Sequence, residues 1–523
     1  MNRNPDGGGI RLFGLETEYG IQVDGVETMD VVTESMELIR CYLHEDFVAR
    51  WDYGLENPRK DMRGFEVANL LNDKDETLHL QRDRERKIPL KDLKSDLIIS
   101  NGARLYNDHT HPEYATPECR VLADLVATDR AGERILLQCA SRRTKARGDG
   151  VVRLYKNNTD FEGHSYGCHE NYLIDRQIPF QQIVDGLLPY LVTRQVFAGA
   201  GKVGVEADQA ADPSVYQLAQ RSDFFECIAS VDTMTRRPLV NTRDEPHATA
   251  SRYRRLHIIL GDANMSEYVT ALKVGTALLV LELMEKQLVP SLELADPVGD
   301  LKRVSRDQRR QWSVELVGGR HTDALAIQRA YLTRAKAEAA GRDAETDWVL
   351  AEWDLVLEAL ATDVSKLVGK CDWVTKKWML DAFVEAEGLS WQNPEHRVWL
   401  QSQDLEYHNI DPAEGLFLLF EAGSGSERMT TEEEIARATV NAPAGTRAYF
   451  RGRSLEKFGA SVRSLNWDSI EFELNGKAAT LDLKACVDAK TAAYFNDALD
   501  RAGTVQELME RLSDRASLGT LGS

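Results

Sequence analysis

The chain has 523 residues, 43% apolar and 28% charged, a balance that suits a soluble globular enzyme with one large catalytic domain and a smaller companion. Its net charge of −20 disfavours general nucleic-acid binding, although screening over about 8 Å lets a local basic groove act against that background. No apolar run reaches bilayer length, Met1 to Gly9 carry no leader-like apolar core, and the seven cysteines form no CxxC pair, so the expectation is a reduced, cytoplasmic protein with neither a membrane nor a nucleic-acid partner.

In chain order, Ile10 to Val23 alternates as a strand, and Glu16 and Glu18 of Gly14-Leu-Glu-Thr-Glu-Tyr-Gly20 fall on one face about 7 Å apart. Two carboxylates so placed repel unless a cation lies between them, and magnesium suits that need where phosphates are present. A solvated strand end is the equal alternative. After Trp51-Asp52-Tyr53, residues 54–95 are dense in charge and lack periodicity, the pattern of a long loop that is either disordered or functional. Strand-like runs follow at 97–99 and 103–108. Arg104, Tyr106 and Asp108 share a face there, and Pro112 breaks the run soon after. Asp108, close to His109, His111 and Glu113, suits a nucleophile or general base, or else one member of a structural ion-pair network. The His109-x-His111 pair lacks a third nearby ligand for zinc.

Further strands are expected at 151–155 and 256–261. His169-Glu170 opens like a zinc-protease motif, but Leu173 stands where its second histidine belongs. Gly199-Ala-Gly-Lys-Val-Gly204 has phosphate-loop spacing, yet Val203 replaces the required Ser or Thr. It reads as a flexible loop with Lys202 facing an anionic ligand. Between 241 and 264, arginines and histidines interleave with apolar residues. Arg255 and His257 share one strand face, in the manner of a phosphate clamp, though a lone histidine there also suits a core. Helical patterns dominate 322–387. The break Ala422-Gly-Ser-Gly-Ser426 and the capping signal Thr430-Thr-Glu-Glu-Glu434 divide the chain into 1–427 and 428–523. Within the latter, Asn475-Gly476 predicts a hairpin.

Taken together, Gly14-Leu-Glu-Thr-Glu-Tyr-Gly, Asn101-Gly-Ala-Arg-Leu-Tyr, His111-Pro-Glu-Tyr-Ala, Ser165-Tyr-Gly-Cys-His-Glu-Asn-Tyr-Leu, Asn241-Thr-Arg-Asp-Glu-Pro-His and Thr446-Arg-Ala-Tyr-Phe-Arg-Gly resemble one family, the Pup ligases and Pup deamidases. The resemblance spans almost the whole chain. It implies an α+β fold: a large glutamine synthetase-like domain, 1–427, whose curved antiparallel sheet cradles ATP and magnesium, and a small C-terminal α/β domain. Arg50-Trp-Asp-Tyr53, Asn57-Pro58, Arg63-Gly-Phe65, the long loop and the short spacing Asp108-His-Thr-His-Pro112 resemble the deamidase branch, although Gly54-Leu-Glu-Asn57 departs from its usual sequence.

By this resemblance Glu16, Glu18, Tyr106, Glu113, His169 and His257 surround magnesium. Arg243 and, more weakly, Arg451 contact the phosphates of ATP (or ADP plus phosphate), and Trp467 stacks on adenine. Asp108 attacks, directly or through water, the amide of Pup's C-terminal glutamine or Pup's isopeptide bond to lysine. The implied partners are Pup and pupylated proteins, with a functional link to the bacterial proteasome. The alternatives are a Pup ligase and a non-catalytic Pup-binding protein.

Overall fold

The computed structural model describes residues 11–26, 29–42, 50–70, 94–108, 110–206, 215–233 and 236–519. Its main sheet has six strands: Phe13–Glu18 (β1), Leu97–Ile98 (β2), Arg104–Asp108 (β3), His111–Ala115 (β4), Cys168–Asp175 (β5) and Tyr253–Ile258 (β6). They lie in the order β6-β5-β1-β4-β3-β2, and every neighbouring pair is antiparallel. The expected strand over Ile10–Val23 is interrupted at Tyr19. Its second half, Gly20–Val23, leaves the sheet and pairs with Val152–Tyr155.

Alternation along the strands separates two faces. Phe13, Leu15, Tyr172, Ile174, Leu256 and Ile258 sink into a core built with the helices Leu122–Arg147, Phe180–Thr193 and Glu267–Glu285. Each fully buried Leu, Ile or Phe there contributes about 1.5–3 kcal/mol, so the sheet is anchored from this side. The helix Glu267–Glu285 is buried on nearly every side. Its Lys273 is tolerated because the ammonium donates to the Asp262 carbonyl and to Asn264 Oδ1, both at 2.8 Å. The helical stretch expected from 322 resolves into Ala324–Ala339, Ala344–Thr362 and Asp372–Ala386.

A second core gathers Phe450, Ile470, Phe472, Leu481, Phe495 and Leu508 around a four-stranded antiparallel sheet, Val462–Leu465, Ser469–Leu474, Lys477–Asp482 and Ala516–Gly519. At its hairpin Asn475 and Gly476 both take positive φ, 52° and 71°, as a two-residue turn of that type demands. The capping box forms at Thr431 and Glu434. Trp51 and Ile98 also enter this second core.

Part of the first expected loop is placed beside a large cavity, and the expectation for the second is corrected. Residues 54–70 pack against the protein: Thr242 Oγ1 donates to Asp61 at 2.5 Å, the Met62 amide donates to the Thr242 carbonyl at 2.7 Å, and the Asn57 amide donates to Glu245 at 2.9 Å. The remainder of that stretch, 71–93, lies outside the described residues, as does His109. The Gly199–Gly204 segment is no flexible loop. Lys202 and Val203 pair with Tyr216 and Gln217, and the Lys202 ammonium is buried 2.7 Å from Asp223, so its charge is already matched inside the protein. No helix among the described residues is long and apolar enough to cross a membrane.

Candidate active site

The polar face of the six-stranded sheet forms one wall of a cavity of about 1000 Å³. Strand register assembles its floor. Tyr106 on β3 stands opposite Glu113 on β4, which stands opposite Glu18 on β1; one step along, Glu16 stands opposite His169 on β5. Directly opposed residues share a face at about 5 Å, so four separated sequence segments meet in one layer. His257 on β6 completes it, with its ring centroid 4.9 Å from that of His169.

Two groups of donors result. Glu16, His169 and His257 each offer a ligand atom within 4.8 Å of the others, and so do Glu18, Asp108 and Glu113. In the first group His257 Nε2 lies 3.3 Å from Glu16 Oε2, and His169 Nδ1 lies 3.4 Å from the same oxygen. Burial opposes the charge of Glu16, but His257, His169 and Arg255 outweigh it and hold the carboxyl well below its usual range. Burial also drives His257 down to about 3, leaving a neutral imidazole. Its Nδ1 is 3.1 Å from the Asn241 amide, while its buried Nε2, close to Glu16, makes no well-aligned hydrogen bond among the described residues.

In the second group burial, followed by the charges of Asp108, Glu16 and Glu18, pushes Glu113 well above the carboxylate range. Tyr106 donates to Glu113 at 2.5 Å and orients that carboxylate from the side. Burial and Glu113 keep the phenol itself firmly protonated. The crowded carboxylates of the second group, oxygen alone, fit a hard divalent cation, and the first group offers a mixed set of one carboxylate and two imidazoles to a divalent metal.

Arginines face this acidic floor. Arg255 reaches Asn171 at 2.6 Å and lies 3.6 Å from Glu16. Arg243 hydrogen-bonds the Val231 carbonyl and the Thr233 hydroxyl at 3.2 and 3.1 Å and makes no ion pair among the described residues. Arg221, which sequence reasoning did not single out, is buried on the cavity wall. It donates to Ser165 Oγ at 3.1 Å and to the Ile259 carbonyl, again without an ion pair among the described residues. Burial lowers the pKa of both Arg221 and Arg243. Two desolvated guanidiniums that make no ion pair among the described residues suit a phosphate-rich anion. No signal in Gln220-Arg221-Ser222 marks this role, which depends on the fold bringing Ser165 and Ile259 alongside.

Trp467 lines the cavity and an adjoining recess that also contains His247 and Arg447. Arg451 is different, and its expected phosphate contact is corrected. It is fully buried, bound to both oxygens of Glu118 at 2.9 and 2.5 Å and to the carbonyls of Gly102 and Trp467, both at 3.1 Å. Burial opposes the Glu118 charge, but Arg451 and Arg447 hold that carboxyl down at about 2. The guanidinium is therefore engaged within the protein, behind Trp467, whose ring centre lies 5.0 Å away.

Asp108 sits at the end of β3 with Oδ1 3.2 Å from the ammonium of Lys94, both side chains 25% exposed. Although His111 opposes Asp108 in register, its Nδ1 lies 3.5 Å from Glu18 instead. A carboxylate lining a charged cavity, within one donor group and facing buried arginines, suits attack on, or water activation toward, a polarised carbonyl.

The profile of the family described as Pup-ligase protein matches residues 11–471. A protein named depupylase from Acidothermus cellulolyticus is 41% identical over 518 residues, covering 96% of this chain and 99% of that protein. Among solved structures, the complex of Pup with its ligase PafA superposes with a TM-score of 0.75 at 32% identity, covering 97% of this chain and 93% of that one. PafA in complex with ADP gives a TM-score of 0.70 at 34% identity, covering 86% of this chain and 96% of that one. With the α+β architecture and the acidic sheet face in place, these similarities show that the chain belongs to the Pup-ligase protein family, which includes both Pup ligases and Pup deamidase/depupylases.

Proposed function

We propose that this protein is a cytoplasmic hydrolase that deamidates the C-terminal glutamine of Pup and cleaves the isopeptide bond joining Pup to lysines of pupylated proteins, with ATP and magnesium bound as cofactors. The observation that carries this reading is the placement of Asp108 within one of two neighbouring cation-compatible donor groups, in a chain matched over 96% of its length by a protein named depupylase. We assign Glu16, His169 and His257 to one magnesium and Glu18 and Glu113 to another, with Tyr106 orienting Glu113. Arg243 and Arg221 face the nucleotide phosphates, and Trp467 stands at the base. The large domain, residues 1–427, carries this chemistry, and the small domain, 428–523, supplies Trp467. The partners are Pup and its conjugates, with a functional link to the bacterial proteasome.

An amide or isopeptide already has a leaving nitrogen, so its hydrolysis needs an attacking group, a polarised carbonyl and a proton for the nitrogen, not a phosphoryl transfer. When bound, magnesium and phosphate supply fixed charge around the carbonyl. Asp108 then attacks, or draws a proton from the attacking water, while Tyr106 holds Glu113 in place. The ligase reading predicts different stoichiometry, because a free carboxylate must be activated by ATP before an amine attacks it. The test counts ADP against released lysine side chains in one tube containing a Pup conjugate, Mg²⁺ and ATP. Many lysines per ADP are expected; one per ADP overturns the cofactor role of ATP, and consumption of ATP to form new conjugate supports the ligase.

A further inference from the structure

The contact between Lys94 and Asp108 has the chemistry of the reaction's own product. Lys94 is not a loosely tethered surface lysine. The next residue, Ser95, is fully buried at φ 50° and accepts from Arg40 at 3.3 Å. Asp96, buried as well, binds Arg104 at 2.8 and 3.2 Å. The Arg104 guanidinium is stacked between the rings of Trp51 and Tyr106, 3.9 Å from each. This chain of anchors fixes the Lys94 backbone beside β3. Its ammonium reaches Asp108 at 3.2 Å and lies 5.8 Å from the centre of the Tyr106 ring, lining the same cavity.

Hydrolysis breaks the bond between the acyl carbon of Pup's last residue and the nitrogen. The oxygen of water joins the acyl carbon to give a carboxylate, and the nitrogen leaves with a proton from that water. From Pup's C-terminal glutamine the departing group is ammonia. From a conjugate it is a lysine ε-amine, which is an ammonium at neutral pH. That product ammonium forms next to Asp108, where the Lys94 ammonium now stands.

We propose that Lys94 occupies the leaving-amine subsite and selects between substrates by the group they release. This inference rests on the hydrolase reading given above. Ammonia is small enough to leave with Lys94 in place. A substrate lysine on its four-methylene stem must instead displace Lys94 from Asp108, so the intramolecular lysine competes with conjugates and not with free, glutamine-ended Pup.

The test uses the full-length protein with Mg²⁺ and ATP and two substrates, a glutamine-ended Pup and a Pup conjugate of a model protein. Lys94→Ala is expected to raise kcat/KM on the conjugate relative to the glutamine substrate by about fivefold, the worth of a partly exposed ion pair, while Lys94→Arg retains the wild-type ratio. As an independent readout, Nα-acetyl-lysine amide should inhibit deamidation more strongly in Lys94→Ala than in the wild type. A Lys94→Ala ratio within about twofold of wild type, or an equal fall on both substrates, overturns the inference and leaves Lys94 a structural partner of Asp108. A wild-type protein that hydrolyses neither substrate overturns the hydrolase reading itself, and this inference with it.

Discussion

On β1, Phe13 and Leu15 sink into the helical core, while Glu16 and Glu18, each one residue away from a buried neighbour, crowd with other acids on the wall of an open cavity. The same strands thus build two faces with opposite energetics. The rear face stabilises the fold by burying apolar area, and its side chains tolerate little change in volume. The front face holds Glu18, Asp108 and Glu113 within ligand distance of one another, an arrangement that costs stability until a cation arrives. The comparison teaches where function is stored: in a polar layer too strained to hold itself, supported by an apolar layer that is indifferent to the chemistry in front.

The sharpest way to break this comparison is to relieve the front face. Glu113→Gln keeps the shape and the Tyr106 contact but removes the acid whose ionisation burial and the neighbouring carboxylates oppose. Activity is expected to fall by more than about a hundredfold, while the metal-free protein melts at a higher temperature. A lowered melting point would show that Glu113 serves the fold. On the rear face, Leu15→Ala should cost about 2–5 kcal/mol in denaturant unfolding, with kcat nearly unchanged in the protein that remains folded. Equal losses of stability and kcat would mean that the two faces are not separable.

Arg451 tests the boundary between the faces. Arg451→Lys loses the paired contact with Glu118 and should destabilise by about 2 kcal/mol, with ADP affinity preserved in a direct binding titration. Loss of ADP binding without loss of stability would restore the phosphate role expected from sequence.

The smallest effect concerns a carboxyl behind the sheet. Glu345 accepts from the Leu122 amide at 2.8 Å, and burial pushes its pKa up to about 7. The unfolded chain gives up this proton near 4.5, so over the intervening range the folded state holds the extra proton. Its contribution is full below the unfolded value and is lost as pH rises through about 7. Melting temperature should therefore fall by a few degrees between about pH 5 and pH 8, and Glu345→Gln should flatten that slope. An unchanged slope in the variant would place the titrating group elsewhere.

Much of the front face was legible in the sequence because alternation is local. Glu16 and Glu18, Tyr106 and Asp108, and Arg255 and His257 can each be assigned to a shared face without knowing the partner strand. The Asn475-Gly476 turn was legible for the same reason. Residues whose placement depends on distant partners were not. Arg221 becomes a cavity residue only because Ser165 and Ile259 come alongside, and Lys94 reaches Asp108 only because Asp96 is locked to Arg104. Arg451 was misjudged because nothing near it in sequence reveals Glu118, which lies 333 positions away and captures it. Residues 54–70 lack periodicity, yet Asp61 and Met62 dock onto Thr242 through individual hydrogen bonds that no pattern announces.

The central claim is that Asp108 carries out amide hydrolysis while the sheet behind it carries the stability. The most direct measurement compares wild type with Asp108→Asn on one Pup–protein conjugate with Mg²⁺ and ATP, following product masses and melting temperature together. The wild type should release the unmodified protein and a Pup ending in glutamate. The variant should be slower by several orders of magnitude, on the order of a thousandfold or more, with a melting temperature equal to or above wild type. Cleavage by the variant at more than about a tenth of the wild-type rate would contradict the account, as would a conjugate that the wild type leaves intact.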